Sequence, residues 1–138
     1  MCLLDEVLAW DPVQIRCRSA SHAAPDHALR ARGRLGAACA IEYAAQAMAL
    51  HGALVATGRE EAPRGGFLAS VRGVRFAVLR IDDVPGDLIC VATRVAGDRD
   101  TVVYEFQVAG ATTPDAELRT LVSGRATIAL QDSVRSHS

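Results

Sequence analysis

Between Leu35 and Gly58 the chain carries one formal charge, Glu42, in the run LGAACAIEYAAQAMALHGALVATG. A stretch this apolar must be covered, by lipid or by the rest of the protein. It is long enough to cross a bilayer, which takes about 20 apolar residues. It is rich in Ala rather than Leu, however, and holds Glu42, Gln46 and His51, so it reads as a core helix, roughly Ala38 to Thr57. Gly58 suits the C′ position of that helix, with Arg59 just past its negative end. Whatever fold forms has to wrap this helix.

The remaining segments have the period of strands. Val13, Ile15, Cys17 and Ser19 alternate with Gln14, Arg16 and Arg18. Gly66 to Ile81 reads as a long strand bent near Gly73. Val84-Pro85-Gly86-Asp87 is a turn, Leu88 to Val95 a strand, and Gly97-Asp98-Arg99-Asp100 a hairpin. Val102, Tyr104, Phe106 and Val108 form one face of the next strand, and Leu118 to Leu130 is the last. Leu3 to Ala9 is a short apolar segment closed by a Trp10-Asp11-Pro12 turn. The order is strand, helix, then four strands that turn back on one another. That predicts an α+β fold with an antiparallel sheet around one long central helix. Alanines 44, 45, 47 and 49 would let strands approach the helix closely. We expect one domain, 1–138, with 131–138 a polar, frayed tail.

A net charge of −1, without an acidic or basic tail, gives no reason to expect nucleic acid. Cys2, Cys17, Cys39 and Cys90 form no CxxC pair and no metal-ligand spacing, which predicts free thiols, no metal and a reducing compartment. MCLLDEVLAW has acids where a signal peptide has basic residues. The expectation is a cytoplasmic protein with no membrane span.

Four stretches resemble, in order, a hotdog-fold 3-hydroxyacyl-(acyl carrier protein) dehydratase: LLDEVLAW, IEYAAQ (Ile41 to Gln46), VPGD (Val84 to Asp87) and SGRATIAL (Ser123 to Leu130). The run from Ser21 to Leu54, SH…HALR…GRL…IEYAAQAMALHGAL, is similar to the subgroup of predicted dehydratases of aryl-polyene-type lipid pathways. Better-known relatives carry GHFP and a Pro-Gly before the helix, where this chain has Arg34-Leu35-Gly36-Ala37. The resemblance implies a backbone N–H ahead of the helix that polarises a thioester carbonyl, here from residues 36 to 39.

Removing a C2 proton and a C3 hydroxyl from such a thioester needs a base and an acid, roles that a His and a carboxyl of raised pKa divide near neutral pH. The resemblance places the acid at Glu42. Apolar surroundings would favour its neutral form, and the helix N-terminus its anion. The competing structural reading has Glu42 capping its helix or pairing with Arg34. The base is assigned to His22, which with Ser21 matches the subgroup. His27, fifteen residues before Glu42, is the alternative base. Either ring also reads as an ordinary loop histidine. Gln46, one turn past Glu42, supports the carboxyl or bonds to backbone. His51 lies on the opposite side of the helix and reads as a core or interface residue. Cys39 at the helix start is a weaker alternative as a nucleophile.

The resemblance further implies a homodimer or higher homo-oligomer, or a heterodimer with another hotdog chain, with the His of one subunit facing the Glu of the other. No cofactor is expected beyond the phosphopantetheine on which acyl carrier protein holds the substrate. Arg30, Arg32, Arg34, Arg59 and Arg64 flank the helix and form a candidate docking patch for that acidic partner, or serve as ordinary loop charges. The other functional readings are a hotdog acyl thioesterase and a non-catalytic subunit that binds acyl chains or supports an active partner.

Overall fold

The computed structural model describes residues 2–62, 64–113 and 115–131. The tail expected at 131–138 falls outside this range beyond residue 131. Six strands form one sheet: β1 (Glu6–Trp10), β2 (Gln14–Ser19), β3 (Gly66–Phe76), β4 (Leu88–Gly97), β5 (Thr101–Gly110) and β6 (Arg119–Leu130). Every pairing is antiparallel, in the order β1-β2-β4-β5-β6-β3. Among the described residues one α-helix, α1 (Ala40–Gly58), lies between β2 and β3 in sequence and packs on β2, β4 and β5. This is the hotdog arrangement. No described helix is long and apolar enough to cross a membrane.

The alternation in β5 becomes a layer. Val102, Tyr104, Phe106 and Val108 are buried, while Glu105 and Gln107 are exposed. With Ile15 and Cys17 of β2, and Leu88, Cys90 and Ala92 of β4, they meet Tyr43, Ala44, Ala47 and Met48 of the helix. Burying a side chain as large as Phe106 contributes on the order of 1.5–3 kcal/mol. Ala44 and Ala47 face the strands as the close-approach argument requires. Ala49 does not: it is exposed, and Ala45 is half-buried. The helix therefore has a face that the sheet leaves bare, running through Glu42, Ala45, Ala49, Gly52 and Ala53.

Three boundaries differ from expectation. The apolar N-terminal segment contains a strand, β1, with a bulge between Val7 and Ala9 that breaks its period. β3 stops at Phe76 rather than Ile81. The chain then leaves β6 and pairs with the segment before the helix: Ala37 N–H donates to Leu79 O at 2.9 Å and Ile81 N–H to Leu35 O at 2.8 Å. Its bend does fall at Gly73, where φ is +60° and the register shifts between Arg72 and Arg75. The helix ends two residues later than a Gly58 C′ would set. Glu60 takes the left-handed position at φ +58°. Glu61 N–H bonds Ala56 O and Glu60 N–H bonds Thr57 O, a Schellman closure.

Candidate active site

The site begins in the connection from β2 to α1. Ser19 and Ser21 both turn their hydroxyls onto the Leu3 carbonyl, Ser21 at 2.9 Å, which fastens the strand end to the N-terminal segment. One short helical turn, Ser21–Ala23, then carries His22 fully inside. Its Nε2–H donates to the Val84 carbonyl at 2.9 Å. A carbonyl only accepts, so this bond fixes a proton on Nε2, and in the neutral ring the lone pair is on Nδ1. That Nδ1 is buried and has no hydrogen-bond partner among the described residues. Val84 opens the VPGD turn, so two of the motifs meet at this imidazole.

His27 is held differently. Its Nδ1 accepts Leu29 N–H at 3.1 Å, which leaves the proton on Nε2, and Nε2–H donates to the Tyr43 hydroxyl at 3.0 Å. Tyr43 donates to Ser21 Oγ at 2.7 Å, and Ser21 donates to Leu3 O. Both ring nitrogens therefore have partners, and the ring stacks on Tyr43 with centroids 6.1 Å apart. Burial depresses the His27 pKa, the charges of Arg30 and His22 add to the effect, and Asp26 opposes it.

Glu42 stands in the first turn of α1 beside Tyr43. Tyr43 points inward and Glu42 outward, because consecutive helix positions lie about 100° apart. On this chain the carboxylate is exposed rather than enclosed in apolar surroundings. The reason is geometric: it lies on the face that the sheet does not cover. It makes no hydrogen bond or ion pair with a described residue, and the helix N-terminus has no side-chain cap. Neither the capping reading nor the Arg34 pair is formed. Within one chain the structure gathers His22, His27, Tyr43 and Ser21, and leaves Glu42 apart from them.

The family described as ApeP dehydratase matches residues 1–133. The chain belongs to the ApeP-like dehydratase family. A solved chain of the dehydratase heterocomplex ApeI:P from Xenorhabdus doucetiae superposes with a TM-score of 0.78 at 23% identity, covering 95% of this chain and 84% of that one. A thioesterase from Haemophilus influenzae reaches 0.65 at 15% identity, covering 96% and 82%. AziG from S. sahachiroi reaches 0.63 at 14%, covering 91% and 89%. At these identities the likenesses show the hotdog fold. No curated protein matches in sequence.

The other candidate residues of this ApeP-like dehydratase take distinct places. Gln46 accepts Leu3 N–H at 2.7 Å through Oε1, a backbone contact of the N-terminal segment. His51 is a core residue: Nε2–H donates to Asp11 O and Nδ1 accepts the Tyr104 hydroxyl, each at 2.7 Å. Burial and the nearby Glu42 charge raise the Cys39 thiol pKa, which opposes a thiolate nucleophile. Of the five arginines, Arg32, Arg34 and Arg59 are exposed. Arg64 donates to Gln131 O at 2.8 Å and Arg99 O at 2.6 Å, and Arg30 to Ala24 O and Gly33 O at 2.8 Å. Ahead of the helix, the N–H groups of Ala37 and Cys39 are taken by Leu79 O and Gly36 O. Those of Gly36 and Ala38 lie outside that pairing, on exposed residues.

One residue of this region was not singled out from the sequence. Asp82 is buried to 5% side-chain exposure between the two segments that flank the helix start. Arg80 bonds both its carboxylate oxygens, and Leu35 N–H reaches Oδ1 at 2.9 Å. The Arg80 bonds come first in holding its pKa well below the usual carboxylate range. The sequence signal was the run Arg80-Ile81-Asp82-Asp83 ahead of VPGD, which cannot tell the buried acid from its exposed neighbour.

Proposed function

We propose that this chain dehydrates 3-hydroxyacyl thioesters, held on the phosphopantetheine of acyl carrier protein, to trans-2-enoyl thioesters in a polyene-type or fatty-acid pathway of the cytoplasm. His22 Nδ1 takes the C2 proton. The electron pair of that C–H bond becomes the C2=C3 double bond, and the C3 hydroxyl leaves as water with a proton from Glu42. Gly36 and Ala38 supply N–H groups toward the thioester oxygen as it gains charge. Exposed Arg32, Arg34 and Arg59 offer positive charge to an acidic carrier protein.

The observation that carries this reading is the unpartnered Nδ1 of His22. A buried acceptor without a donor costs about 1–3 kcal/mol. Such a group calls for an explanation, and a catalytic role is one. His27, with both nitrogens engaged, makes the poorer base.

Glu42 faces outward, so its carboxyl needs a second hotdog chain on the bare face of α1 to exclude water. Two features support such a chain: the sheet ends on β3, whose Phe67 and Phe76 are exposed, and the X. doucetiae relative is described as a heterocomplex. The second chain is another copy or a different hotdog protein. The same exposure of Glu42 favours one competing reading, a supporting subunit whose partner does the chemistry.

The test is incubation with 3-hydroxyacyl-carrier-protein, alone and with a coexpressed hotdog partner, followed by intact mass. Loss of one water that disappears in Glu42→Gln and His22→Gln supports the proposal. Water loss that requires the partner and survives both variants establishes the supporting subunit. Release of free carrier-protein thiol instead establishes a thioesterase.

A further inference from the structure

Asp82 is tied to three segments that the proposed site depends on, two of them through its carboxylate. Through Oδ1 it receives Leu35 N–H, and so anchors the approach to the helix start where Gly36 and Ala38 lie. Through Oδ2 it sits 3.6 Å from Arg30 Nη1, and Arg30 is itself only 16% exposed. Arg30 in turn ties the loop that carries His22, by its bonds to Ala24 O and Gly33 O and a long contact of 3.5 Å to His22 O. Through the backbone, Asp82 lies two residues before Val84, whose carbonyl holds the His22 ring. A two-stranded bridge, Gly36 against Arg80, runs beside the knot. Arg80 supplies the compensating charge, with its bonds to both oxygens. A buried carboxylate with this many donors is an organising centre, and the atoms it organises are those around the imidazole.

We propose that Asp82 is a positioning residue that sets the place and tautomer of the His22 imidazole by locking the His22 loop to the Val84 turn. This rests on the reading of His22 as the base. Asp82 itself is too enclosed by Arg80, Arg30 and Leu35 to meet substrate. Its loss acts on geometry: the Val84 carbonyl drifts, Nε2–H loses its fixed acceptor, and the bare lone pair moves between the two nitrogens. Misplacing a catalytic group by about 1 Å lowers a rate on the order of 10²-fold.

The test compares Asp82→Asn with Asp83→Asn. Asp83 is exposed and, among the described residues, pairs only with Arg80, at 3.8 Å, so it is the matched control. Asparagine can still accept Leu35 N–H but places an amide where Arg80 and Arg30 need an anion. The ¹⁵N shifts of the histidine rings report the tautomer directly, with the His22 signal assigned by its loss in His22→Gln. In Asp82→Asn we expect kcat to fall by about 10²-fold with KM changed less than about threefold, and the His22 ring to average over both tautomers. Asp83→Asn is expected to keep rate and spectrum. If Asp82→Asn does not fold, Arg30→Met removes the tie to the loop while leaving Asp82 on Arg80 and Leu35, and is expected to give the same averaging. A His22 spectrum unchanged in the folded variant overturns the inference, whatever the rate. Averaging seen while His22→Gln keeps full dehydration leaves the positioning intact and overturns the assignment of His22 as base.

Discussion

His22 donates its Nε2 proton to the Val84 carbonyl across 2.9 Å, and its buried Nδ1 has no hydrogen-bond partner among the described residues. The loop after β2 and the VPGD turn are 62 residues apart in sequence, so this contact exists only once the sheet has formed. It ties basicity at the site to the fold rather than to a local motif. It also separates the two histidines that the sequence left as alternatives.

His22→Gln keeps a donor for Val84 O and removes only the base. Its stability is expected within about 1 kcal/mol of the parent, because the deleted lone pair had no partner. The dehydration rate is expected to fall by about 10²–10⁴-fold. Glu42→Gln, on an exposed first-turn residue, is expected to lose at most about 1 kcal/mol and a rate factor of similar size. Urea denaturation and the water-loss assay measure the two effects separately. Normal rates in both variants would remove these residues from the chemistry.

His27 should show the reverse pattern. His27→Ala strands Leu29 N–H and removes one donor from the Tyr43 hydroxyl, which keeps its bond to Ser21, at a cost of about 1–3 kcal/mol, with most of the rate retained. The sign of its pH effect follows from its depressed pKa. The fold prefers the neutral ring, so its contribution is full above the unfolded value of about 6.5. That contribution is lost as pH falls below 6.5 toward the lower folded value. Melting temperature measured from pH 8 to 5 should decline less steeply in His27→Ala than in the parent. Equal slopes would show that the ring does not titrate with folding.

The cysteines give a test of the core that is independent of catalysis. All four are free. Cys2 is exposed, whereas Cys17 of β2 and Cys90 of β4 lie opposite each other on paired strands and are buried in the core, and burial pushes the Cys90 thiol up to about 12. An aromatic disulfide reagent should label Cys2 first in the native protein, and Cys39 slowly. Cys17 and Cys90 should react only after denaturation. Labelling of Cys90 at the rate of Cys2 would contradict the packing of α1 on β2 and β4.

The layer of β5 was legible because a central strand with one core-facing side prints its period in the sequence, as Val102, Tyr104, Phe106 and Val108 do. β1 was not, since an outer strand that is largely exposed and bulged at Val7 has little period to print. Glu42 stood out as a lone charge. Its exposure did not, because coverage of the outer helix face depends on what packs there. Asp82 was hidden for another reason. Its backbone partner Leu35 is 47 residues away, and nothing local separates it from Asp83.

Gly110 carries the last prediction, because it couples core packing to the imidazole. A Cβ built there meets Val84 Cγ1 at 2.8 Å, Leu121 Cδ1 at 3.0 Å and Leu88 Cδ2 at 3.3 Å. All three side chains belong to the buried core. Val84 is short and branched, so it yields mainly by moving its own backbone, and that backbone holds His22. Gly110→Ala is therefore expected to destabilise by about 1–3 kcal/mol through overpacking. It is also expected to lower kcat more than the matched loss of stability explains, because the carbonyl that fixes the tautomer shifts with the side chain. Val84→Ala in the same background relieves the closest contact and should restore part of the rate. Recovery of stability without recovery of rate would show that Val84 does not transmit the displacement to His22.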